Sequence, residues 1–184
     1  MTDTRAILIQ SAILIFNEDL SSPLEKVAEN ANINRRTLHR YFKDRKELMH
    51  SCETEVQKAC FDALTAAYNS SEDPLTRLEH MFFAGLDCGV KHAFLHKLHN
   101  GQNHDHNRNN QRCSEYDRIF SLWEKVLDSL RAKELISEFV TIQWVQNLFN
   151  GIMTATIQST DSGSMSTSEI QKHAWYSFSK GIGL

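Results

Sequence analysis

Between residues 35 and 46 the chain places six basic side chains against a single acid, a local net charge of +5. The bases are Arg35, Arg36, Arg40, Lys43, Arg45 and Lys46, and the acid is Asp44. Cations at this density suit a polyanion, because neutralising phosphates releases condensed counterions. Their order also matters. Arg35, Arg36, Thr37 and His39 open a short helical pattern and would meet base edges if that end entered a major groove. An arginine there can grip guanine O6 and N7 in a bidentate pair. Ser22, Asn34, Arg40, Tyr41, Lys43, Arg45 and Lys46 fall where phosphates would be met, and the helix opening at Asp44 adds backbone N–H donors. Any solvated helix face can carry such a run, so the surrounding elements have to decide.

Residues 24–42 have the arithmetic of two short helices joined by a tight turn. Steeply crossing helices need a small residue at their contact, and Ala28 supplies it. The turn needs a residue that tolerates positive φ, and Asn32 does so second only to glycine. Ile33 and Leu38 plug the space between the helices, with Val27 and Phe42 behind. The pair is too small to stand alone, so it leans on a first helix through Ile15 and Phe16 and on a fourth through Leu48. Ser22-Pro23-Leu24-Glu25 reads as a capping box with proline at the first helical position. Asn34, Asp44 with Glu47, Asp73 before Pro74, and Ser166 with Glu169 mark further helix starts. Glu25 would repel phosphate if it faced the same way as the basic helix.

With these residues in place, the N-terminal segment 5–50 resembles the DNA-binding domain of the TetR family of bacterial transcriptional regulators. The matching positions are Leu8-Ile9, Ala12 and Phe16 in the first helix, then Val27-Ala28, Ala31 to Asn34, Thr37 to His39, Tyr41-Phe42, Arg45 and Leu48. Asn32 stands where the family has glycine and His39 where it has tyrosine. The link between Phe16 and Ala28 is about two residues short of the family pattern. The resemblance implies a homodimeric repressor on a short palindromic operator, with a C-terminal domain that senses a small molecule. It also implies that the last two helices pair with their symmetry mates, setting two recognition helices ~34–36 Å apart.

The rest of the sequence agrees with a helical protein. Of 184 residues only nine are Gly or Pro, too few for the turns of a sandwich or barrel. Apolar residues recur at helical spacing over about 4–18, 23–30, 35–42, 45–69, from 75 onward, around 94–98, and over 116–130, 138–158 and 167–180. The expected fold is all-α with about nine helices: a helix-turn-helix domain at 1–48 and a sensing and dimerising bundle at 49–184. Segments 100–110 and 159–168 are polar and read as loops. The whole-chain charge of −3 is the basic segment set against an acidic remainder, which includes a net −4 over residues 51–184. No apolar run reaches the ~18 residues of a membrane span, and the N-terminus lacks a signal-peptide pattern. The four cysteines stand singly, as reduced thiols do, so a cytoplasmic location is expected.

Two further clusters could do chemistry. Cys88, His92, His96 and His99 lie at i, i+4, i+8 and i+11, a spacing open to Zn²⁺ or a similar ion. Phe94, Leu95 and Leu98 compete for the buried side of that helix, which would leave the histidines as its solvated face, and no metal or cofactor is assigned. Met81, Phe82, Phe94, Phe120, Trp123 and Trp144 are candidates for an effector pocket, although each is at core spacing. No Gly-x-Ser-x-Gly, phosphate loop or His-Glu-x-x-His supports catalysis. With the family resemblance, the expected function is that of an effector-released repressor. A helical adaptor or architectural protein that keeps the helix-turn-helix, and a metal-responsive protein built on the histidines, are the rival readings.

Overall fold

A computed structural model describes residues 3–100 and 111–184. Eight helical spans follow one another, with no strand among the described residues: α1 (Thr4–Glu18), α2 (Leu24–Asn30), α3 (Arg35–Tyr41), α4 (Arg45–Asn69), α5 (Pro74–Asn100), α6 (Gln111–Ala132), α7 (Ile142–Ser162) and α8 (Thr167–Gly181). Inside α5, Gly89 has φ 39° and ψ −113°, which bends the span into two helices and makes nine among the described residues. Side chains make that left-handed conformation costly, so glycine stands at the bend. No described helix is long and apolar enough to cross a membrane.

The chain packs as two compact units. One holds the residues up to Ala59 with the segment starting at Val90; the other holds Cys60–Gly89 with the described residues from 111 on. The first unit extends beyond residues 1–48, because the start of α4 and the second half of α5 pack with α1–α3. Leu8, Ile9, Ala12 and Phe16 of α1, Val27 and Ala28 of α2, and Leu38 and Phe42 fill its core with Leu48, Cys52 and Val56 of α4. Phe94 and Leu95 are buried there too. Ser11 Oγ lies 2.8 Å from both Val27 O and Asn30 Oδ1, tying α1 to α2 through a buried hydroxyl.

The second unit is built on aromatic rings. Phe82 meets Phe149 edge-on at 5.7 Å and Phe178 at 4.7 Å, and Trp123 meets Phe149 at 5.2 Å. Such tilted and edge-to-face contacts are the favoured ring geometries. They join α5, α6, α7 and α8.

The helix ends correct the sequence in three places. Pro23, not Ser22, is the N-cap of α2, and it makes no side-chain cap bond. The Ser22–Glu25 box does not form: Ser22 precedes the cap with its hydroxyl toward Asp19, and Glu25 pairs with Arg35 of α3. Residues 138–141 precede α7, which starts after Thr141, whose hydroxyl accepts from Trp144 N. At its other end α7 runs four residues into the polar stretch, to Ser162, and stops at Gly163 in the left-handed conformation. The Ser166–Glu169 capping box of α8 forms as expected.

Candidate nucleic-acid interface

The turn between α2 and α3 is fixed by hydrogen bonds. Ile33 N donates to Ala28 O and Asn32 N to Glu29 O, each at 2.9 Å. That is the Schellman pattern, which requires positive φ at the residue between helix and exit. Asn32 occupies it with φ 52°. Asn34 then caps α3, its side chain accepting from Thr37 N at 2.8 Å. Leu38, fully buried, pins α3 into the core. With one side of a seven-residue helix so anchored, Arg35, Arg36, His39 and Arg40 stand exposed, and Thr37 and Tyr41 are half-buried. The structure therefore presents all four expected base-edge residues on one short helix.

Their individual surroundings differ. Arg35 Nη1 lies 2.8 Å from Glu25 Oε1, and its Nε donates to His39 Nε2 at 3.4 Å. Arg36 has no ion pair among the described residues. Arg40 packs its guanidinium over the Tyr41 ring, 5.4 Å from the centroid. Lys43 and Lys46 are exposed, and the backbone between them is organised by two acids: Lys43 N donates to Glu47 Oε2 and Glu47 N to Asp44 Oδ1.

Two expected phosphate contacts are spent otherwise, whereas Asn34 uses its side-chain oxygen as the cap of α3 and keeps its amide Nδ2 as a donor. Ser22 is 3% exposed, with Oγ 3.4 Å from Asp19 Oδ2. Arg45 turns inward: its guanidinium donates to Leu20 O and Ser22 O and lies over the Phe16 ring, 4.3 Å from the centroid. It holds the loop between α1 and α2. Asp19 organises the same loop, and hydrogen bonds from the Ser21 hydroxyl and amide hold its carboxyl below the usual carboxylate range. Charge counting located the basic segment but could not tell which cation faced inward.

The histidine segment is only partly described. The side chain of His92 lies outside the described residues, as do His104 and His106. His96 is half-buried, and burial lowers its pKa below the usual imidazole range. His99 is buried, with Nε2 2.9 Å from Glu53 Oε1 and 3.4 Å from Gln57 Nε2. Cys88 belongs to the second unit, whereas His96 and His99 belong to the first. Among the described residues no group of three His, Cys, Asp or Glu is arranged to hold a metal ion.

The effector candidates are likewise divided. Met81, Phe82 and Trp123 are buried in the second unit, with Phe82 and Trp123 in its aromatic cluster. Phe120 is half-buried in the same unit. Phe94 is buried in the first unit. Trp144 is 54% exposed, its indole Nε1 donating to Gly181 O at 3.4 Å.

A short helix-turn-helix between a first helix and a long fourth one, followed by a helical bundle, defines an all-α protein of the helix-turn-helix class. No protein-family model and no curated protein matches the sequence. Solved structures do match its fold. The TetR-like transcriptional regulator LfrR from Mycobacterium smegmatis, solved in complex with proflavine, superposes with a TM-score of 0.66 over 98% of both chains at 20% identity. The fatty acid degradation regulator FadR from Bacillus halodurans gives 0.67 over 100% of this chain and 96% of its own, at 12% identity. A TetR family transcription regulator from Marinobacter aquaeolei gives 0.66, over 97% and 95%, at 14% identity. The chain has the TetR-like fold.

Proposed function

We propose that the protein is a DNA-binding transcriptional repressor that reads a palindromic operator as a homodimer and is released by a small-molecule effector. One observation carries this reading: α3 is anchored by Leu38 and capped by Asn34, so that Arg35, Arg36, His39 and Arg40 project together from the first unit. Arg40, Lys43 and Lys46 supply the charge for phosphates, and Arg35, Arg36, Thr37 and His39 the donors and acceptors for base edges. On this reading DNA contact is the business of residues 1–48, and residues 49–184 sense and dimerise.

Pairing is assigned to α7 and α8. Both expose apolar side chains that a lone chain gains nothing by exposing, Trp144 at 54% and Tyr176 at 65%. A groove of about 340 Å³ runs between the two helices, lined by Ile152, Thr156, Ile170 and Ala174 among others. A two-fold dimer would cover it and set the two α3 helices one duplex turn apart. The effector is assigned to the second unit, with Met81, Phe82, Phe120 and Trp123 as the candidate wall. Because Phe82 and Trp123 already pack on Phe149 and Phe178, an effector must displace contacts and thereby favour one conformation. Differential affinity of that kind is what release requires.

The test is selection from a random duplex pool, followed by salt-titrated fluorescence anisotropy and sedimentation. Enriched palindromes, bound by a dimer with a steep loss of affinity as salt rises, are expected. Tyr176→Glu should yield monomers with much weaker binding. Weak binding blind to sequence would overturn the reading in favour of an architectural or adaptor protein.

A further inference from the structure

Glu25, an acid that would repel phosphate if it faced the same way as the basic helix, does reach that helix. Glu25, on α2, holds Arg35 of α3 by a 2.8 Å contact, and one turn along α3 His39 accepts from Arg35 Nε. We propose that Glu25 is a positioning residue that dedicates Arg35 to reading a base edge rather than a phosphate. This rests on the DNA-binding reading above.

The argument is electrostatic and geometric. A guanidinium beside a carboxylate carries little net charge outward, so its pull on a phosphate is largely cancelled. Base edges carry no net charge and are recognised by directed donors, and of the five guanidinium N–H groups the pairing leaves both on Nη2 and one on Nη1. Nη1 is held by Glu25 and Nε by His39, while Nη2 has no intramolecular partner among the described residues. Two anchors from two helices also fix a side chain that would otherwise lose much rotamer freedom on binding. The two side chains are 67% and 42% exposed. A pair this exposed contributes little to stability, so it can be removed without unfolding the domain. Arg36, its neighbour, has no ion pair among the described residues and keeps its full outward charge.

The experiment compares a duplex that the wild-type protein enriches from a random pool with a scrambled duplex of the same composition, over a salt series. Glu25→Ala is expected to lower the ratio of the two affinities about tenfold, the scale of one lost bidentate base contact. It should also steepen the salt dependence by about one counterion, as the freed Arg35 turns to a phosphate. In an Arg35→Ala background, Glu25→Ala should leave the ratio unchanged. Glu25→Gln keeps an acceptor and should fall between wild type and Glu25→Ala; it decides the matter if the alanine variant melts early. An equal rise in affinity for both duplexes, with the ratio unmoved, would make Glu25 a simple repeller and overturn the proposal. Should the wild-type protein enrich no sequence at all, the DNA-reading function fails first and the proposal with it.

Discussion

Glu53 Oε1 and His99 Nε2 lie 2.9 Å apart with each side chain 1% exposed, joining α4 to the end of α5 inside the first unit. Gln57, one turn further along α4, approaches the same imidazole nitrogen at 3.4 Å. Buried polar pairs are weak evidence for stability when intact, but removing one member leaves the other desolvated. Glu53→Ala and His99→Ala should each cost about 3 kcal/mol of unfolding free energy. The double variant should cost clearly less than the two together. Urea unfolding of all four proteins measures this, and strict additivity would show that the two groups are uncoupled.

Asn32 offers a test of local conformation. At φ 52° it sits where glycine would be relaxed and a β-branched residue strained. Asn32→Gly should therefore be neutral or mildly stabilising, while Asn32→Val should cost about 1–2 kcal/mol. Glu134 ends α6 with the same pattern: Leu135 N donates to Leu130 O, Glu134 N donates to Arg131 O, and φ is 56°. Glu134→Gly should accordingly raise the melting temperature, by a few degrees for ~1 kcal/mol gained. Equal melting temperatures for Asn32→Gly and Asn32→Val would contradict the account.

Features decided within a few residues were legible in the sequence. Asn32, the Asn34 cap and the Ser166–Glu169 box are local choices, and each forms. Features decided across the fold were not. Glu25, read as half of a box with Ser22, pairs instead with Arg35, ten residues away in sequence but adjacent across the turn between α2 and α3. The partner of His99 is 46 residues away on α4, so helical spacing alone could only rank the histidine as solvated or metal-binding. The bend at Gly89 was invisible as a conformation, because apolar periodicity continues on both sides of it; only the shorter stripe near 94–98 hinted at a separate helix.

Arg45 separates charge from role. Its guanidinium serves the carbonyls of Leu20 and Ser22 and the ring of Phe16. Arg45→Ala should lose stability by about 2 kcal/mol, as two charge-assisted hydrogen bonds and a cation–π contact disappear. The salt dependence of DNA binding should not change. Lys46→Ala should do the reverse, leaving the melting temperature alone and lowering the salt slope by about one. An Arg45→Ala protein with unaltered melting and a shallower slope would mean that Arg45 faces phosphate after all.

Cys52 connects burial to pH. It is fully buried, and burial pushes its thiol from the usual 9.0 to about 12. A group that folding makes harder to ionise favours the native state only while it stays protonated. Below pH 9 both states hold the proton and Cys52 contributes no pH dependence. Above that the unfolded chain releases its proton first, so stability should fall as pH rises from about 9 to about 12. Cys52→Ala should flatten that part of the alkaline profile, at the cost of a small cavity. At pH 8 the native Cys52 thiol should also resist a disulfide-exchange reagent until denaturant is added, since the thiolate is the reactive form and the site excludes the reagent. Mass mapping of the labelled peptide measures this directly. Rapid native-state labelling at Cys52 would show that α4 opens locally at this point.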